Sequence, residues 1–79
     1  MTADWRALDA AAADAFDRFA ETQEPAFADL AVEGFRAVCA LVPGTHADRT
    51  RHLANLAVAL VGRFERIGTP ADLDEAVLV

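Results

Sequence analysis

Seventy-nine residues are enough for one domain. The net charge of −6 disfavours a nucleic-acid partner unless basic residues cluster, and only Arg49/Arg51 and Arg63/Arg66 lie close together, each pair beside an acid. With no Ser, Lys or Tyr in the chain, a serine nucleophile, a Schiff-base lysine and a tyrosine acid are all excluded.

Helical periodicity runs through the whole chain. In the first segment Trp5, Leu8, Ala12, Ala15, Phe16 and Phe19 recur at steps of three and four. They predict one amphipathic helix, with Thr2 or Asp4 as its cap. The second begins after Glu24 at Pro25, a residue suited to the first helical position. Its stripe is Phe27, Leu30, Ala31, Gly34, Val38, Leu41 and Val42, widened by Phe35 and Cys39, and Pro43-Gly44 ends it. Thr45-His46-Ala47-Asp48 reads as the cap of a third helix carrying Leu53, Leu56, Ala57, Leu60, Phe64 and Ile67, with Val58 and Val61 beside them. Gly68 suits a left-handed C-cap. Thr69-Pro70-Ala71-Asp72 opens the fourth, whose stripe starts with Leu73, Ala76 and Val77. No period-two stretch is present, so the expected class is all-α with four helices.

The chain also repeats. Laid over itself at an offset of 45 residues, 6–34 match 51–79 at ten of 29 positions without a gap: Arg6/Arg51, Leu8/Leu53, Ala12/Ala57, Arg18/Arg63, Phe19/Phe64, Pro25/Pro70, Ala26/Ala71, Asp29/Asp74, Ala31/Ala76 and Val32/Val77. Chance in so Ala-rich a chain gives roughly three. The matches fall on the stripes, the corners and the Pro starts. They predict two stacked helix-turn-helix units in a single domain 1–79: unit one about 4–43, unit two about 46–79.

The second unit, His52–Val77, resembles the tetratricopeptide-type repeats of actinobacterial proteins that often carry CHAT domains. The shared features are Asn55-Leu56, Leu60, Arg63-Phe64, Gly68 and the helix opening Asp72–Ala76. The resemblance implies a short right-handed solenoid whose concave face binds a peptide or protein partner, and it implies no catalysis and no cofactor. The unit length near 45 departs from the usual 34 residues, and such stacks generally hold three or more units.

Few side chains suggest chemistry. His46 and His52 stand six apart, off a shared helix face and without metal-ligand spacing, and read as exposed or loop-capping histidines. Cys39, the lone cysteine, reads as an inert thiol in an apolar stripe and fits a reducing compartment. Asp29, Glu33, Asp72, Asp74 and Glu75 read as complements to helix dipoles rather than a metal site. An acyl-carrier role fails for want of the serine that bears the prosthetic arm. In the resembled family, an Asn on a unit's first helix often faces the groove. On that footing Arg51, Asn55 and Arg63 are candidates for a partner-binding ladder, with Arg6 and Arg18 as counterparts on the first helix, suited to a carboxylate-bearing peptide.

The expected role is a cytoplasmic, non-catalytic scaffold or adaptor, with neither nucleic acid nor membrane as partner. The start has no basic region before an apolar stretch, unlike a signal peptide, and no apolar run reaches membrane-spanning length. The alternatives are a homo-oligomer formed through the C-terminal helix, whose apolar Val77-Leu78-Val79 makes a poor solenoid cap, or a truncated piece of a longer array.

Overall fold

The structure is a computed structural model that describes residues 4–42 and 47–78. Four helices make up these residues: α1 (Trp5–Thr22), α2 (Pro25–Leu41), α3 (Arg49–Ile67) and α4 (Pro70–Leu78), each packed on the next in the chain. The class is all-α, arranged as two helical hairpins set side by side. None of the helices is long and apolar enough to cross a membrane, among the described residues.

The 45-residue offset reappears in the element boundaries. α1 and α3 end at Thr22 and Ile67, and α2 and α4 start at Pro25 and Pro70. Both corners use the same left-handed cap. Gln23 (φ 60°) donates its N–H to the Phe19 carbonyl at 2.7 Å, and Gly68 (φ 85°) donates to that of Phe64 at 2.6 Å. Asp4 caps α1 by accepting from the Arg6 N–H at 3.0 Å. At the start of α3, Thr45 and His46 lie outside the described residues, and Asp48 holds the N-cap position.

Small residues let the hairpins close. A Cβ placed on Gly34 would come within 2.7 Å of the Ala12 methyl, so α2 crosses α1 where neither helix carries bulk. The core joins Ala12, Ala15, Ala31, Val32, Phe35, Leu56, Ala59 and Leu60 across both hairpins, with Phe16, Cys39 and Ala76 packed against it. α1 and α3 lie alongside each other in parallel: Trp5 meets His52 near their starts, and Phe16 and Phe19 flank Gly62 near their ends. The Arg66 guanidinium then donates to the Gln23 carbonyl at 3.0 Å, locking the corner of one hairpin to the last turn of α3. Arg49 closes the opposite end, donating to the Cys39 and Val42 carbonyls at 3.0 and 3.1 Å, groups that the end of α2 leaves without helical partners.

Several expected core assignments change. Val58, Val61, Ile67, Leu73 and Val77, counted with the α3 and α4 stripes, are exposed because no further helix among the described residues covers that side of the second hairpin. Leu30 and Leu41, placed on the α2 stripe by their spacing, are exposed, while Ala28 and Val32, left off it, are buried together with Phe35, which was expected to widen it. α2 lies between α1 and α3, so its buried arc is set by two neighbours rather than one. His52, expected to be exposed or to cap a loop, is instead 1% exposed inside α3, set edge-on to Trp5 with ring centroids 4.9 Å apart. Its imidazole Nδ1 stands 3.9 Å from Asp9 Oδ1, and the Arg6 guanidinium covers the Trp5 ring at 4.7 Å.

Candidate functional site

The five residues singled out from the sequence do not form one ladder. Arg63 turns away from the α1–α3 face towards α2 and α4. Its Nε and Nη2 clamp the buried Asp72 carboxylate at 2.8 and 2.6 Å, and its Nη1 reaches Asp29 of the first hairpin at 3.1 Å. Hydrogen bonding to Asp72 raises the Arg63 pKa further, so this cation is permanent. Its donors are committed inside the protein, and Asp72 is a structural counter-ion rather than a mere dipole complement. Beside it, Arg36 ties α2 to α4 through Glu75 (2.7 Å) and also holds Glu33 (2.8 Å). Arg18, the counterpart of Arg63, bonds Asp14 at 2.9 Å on the outer side of α1–α2.

Arg6, Arg51 and Asn55 do belong to one surface. Helical spacing puts Arg6, Ala13 and Asp17 on one stripe of α1, and Arg51, Asn55 and Val58 on one stripe of α3. Between the stripes runs a crease of about 200 Å³, lined by Ala13, Phe16, Asp17, Asn55 and Val58, with Phe35 beneath. Asn55 is half-buried there and offers both a donor and an acceptor. Arg51 is exposed one turn earlier, with Asp48 at 3.3 Å.

Two further open faces are apolar. The outer side of the first hairpin has a hollow of about 600 Å³ over Leu8, Ala11, Ala15, Phe27, Leu30 and Gly34, with Arg18 on its wall. The outer side of the second hairpin presents Val58, Val61, Leu73 and Val77.

Among the described residues no three His, Cys, Asp or Glu side chains gather as metal ligands. The Cys39 thiol is half-buried, and burial raises its pKa, which disfavours the nucleophilic thiolate. The structural roles of His52, Asp72 and Arg49 were missed in the sequence. A second stripe was there to find: His52, Leu56, Ala59 and Arg63 recur at steps of four, three and four, which is the α3 side that meets the first hairpin. Comparisons with protein-family models, curated proteins and solved structures find no match for this chain.

Proposed function

We propose that this chain is a non-catalytic interaction module of tetratricopeptide type, whose α1–α3 face takes an extended peptide or a segment of a protein partner. The observation that supports it most is the placement of Asn55, a neutral polar side chain half-sunk in the crease between two parallel helices. A peptide main chain laid along such a crease offers the N–H and C=O groups that one carboxamide can satisfy together. Arg6 and Arg51 at the same end of the face supply cations for a carboxylate on that peptide, while Asp17 further along disfavours a uniformly acidic one. Arg18 and Arg63 leave the proposed site, because one lies on another face and the other is held by Asp72 and Asp29.

The test is selection of binders from a displayed library of linear peptides, followed by titration of the best binder into labelled protein. Amide shifts should concentrate on α1 and α3. Asn55→Ala should weaken binding by roughly tenfold, the cost of a lost main-chain hydrogen-bond pair. Binders that shift only α2 or α4, or that ignore Asn55→Ala, would remove this reading.

A further inference from the structure

The two apolar outer faces are related to the inner seam by the internal repeat, and that relation identifies what can cover them. Subtracting 45 from the residues lining the outer side of the second hairpin (Ala57, Val58, Val61, Leu73, Ala76 and Val77) gives Ala12, Ala13, Phe16, Ala28, Ala31 and Val32. Those are residues of the first hairpin, and Ala12, Ala28, Ala31 and Val32 are buried, with Phe16 packed on the core that the second hairpin completes. The hollow of the first hairpin relates the other way. Ala11, Asp14, Ala15 and Arg18 correspond to Leu56, Ala59, Leu60 and Arg63, the part of α3 that receives the first hairpin. One outer face is thus a second edition of the seam's donor side, and the other of its acceptor side.

We propose that a second copy of this chain stacks head-to-tail, its α1–α2 hollow seated on the outer α3–α4 face of the first. Charge supports this occupant and this polarity. Across the inner seam Arg63 bridges to Asp29 while also holding Asp72. The repeat equivalents are Arg18, already holding Asp14, and Asp74. Stacking by the same operation brings Arg18 of one copy to Asp74 of the next, reproducing a guanidinium shared by two carboxylates. Pairing of like faces would instead oppose Arg18 to Arg18 or Asp74 to Asp74. Leu30 and Val77, 59% and 78% exposed, lie on the two faces that would meet. The nine residues of α4 match only the first half of α2, so the contact is smaller than a standard interface. Self-association is therefore weak, with a dissociation constant on the order of 100 µM. Both ends of a head-to-tail pair stay open, so the assembly grows past the dimer. The outer α3–α4 face shares Val58 with the peptide crease, but Leu30, Val77, Arg18 and Asp74 do not line that crease, so variants at these four test the stacking separately from peptide binding.

Sedimentation velocity on the chain, up to about 1 mM, reads the outcome as a mass that climbs beyond two copies. Leu30→Glu blocks the hollow and Val77→Glu blocks the outer face. Each variant alone should be monomeric, and their equimolar mixture should form one-to-one pairs and nothing larger. Arg18→Asp should weaken association by roughly tenfold, and adding Asp74→Arg to the same chain should restore it. Circular dichroism checks that the helices persist, and Leu30→Gln with Val77→Gln serve the same test if either glutamate unfolds the chain. A strict monomer at 1 mM, a dimer that survives Leu30→Glu, or no rescue by the charge swap would overturn the proposal.

Discussion

Arg63 and Arg18 occupy the same position in the repeat and pair with acids at similar distances, yet their surroundings make them unequal. The Arg63–Asp72 side chains are 17% and 4% exposed, whereas Arg18 and Asp14 both stand in solvent. Asp72→Ala leaves a largely buried guanidinium with Asp29 alone, and should cost about 2–4 kcal/mol in urea denaturation. Asp14→Ala should change stability by under about 0.5 kcal/mol, since exposed pairs contribute little and Ala favours the helix. For a 79-residue domain with a total near 5 kcal/mol, only the first change threatens the fold. Gly34→Ala belongs with it. The new methyl meets Ala12 Cβ, which sits rigidly on its own backbone, so the hairpin must open slightly and lose about 1–3 kcal/mol, read as a lower urea midpoint.

At the level of the helices, the two corners allow one comparison. Gln23 and Gly68 share the left-handed conformation and the same carbonyl bond, but only glycine adopts it without cost. Gln23→Gly should therefore stabilise by about 0.5–1 kcal/mol, although it gives up the 3.2 Å bond from Gln23 Nε2 to the Phe19 carbonyl, an acceptor already served by the backbone N–H. Gly68→Ala should destabilise by about 1 kcal/mol, both read from thermal midpoints. These helices are legible in the sequence because their starts and stops are local: Pro25 and Pro70 at the starts, Gly68 at a stop and the apolar spacing all act within one or two turns. The orientation of individual side chains was less so. Leu30 and His52 sit at positions where one-stripe counting assigns the wrong side, because α2 and α3 each touch two neighbours. The ladder of Arg51, Asn55 and Arg63 failed for a related reason. Three residues spanning twelve positions drift around a helix, and Asp72, nine residues past Arg63, then draws its guanidinium inward.

Across the molecule, Asp29, Arg63 and Asp72 join α2, α3 and α4 at one point, and Arg36 with Glu75 repeats the tie one turn along. The duplication was legible from the ten identities, and the equivalence of Phe19 and Phe64 holds at the corners. Their burial differs: Phe19 is buried and lies against Gly62 of the neighbouring hairpin, whereas Phe64 is only half-buried. Hydrogen exchange should rank the helices accordingly, slowest for amides of α2 and α3 in the shared core and fastest for α4, which packs chiefly on α3. Nine residues cannot hold a helix in water unaided, so α4 owes its shape to being docked. Its first turn is pinned by the same guanidinium that bridges the two hairpins. Prising the hairpins apart would disturb that clasp, and a spectroscopic label near Val77 would register the change, making the restlessness of one tip a gauge of how tightly the middle is shut.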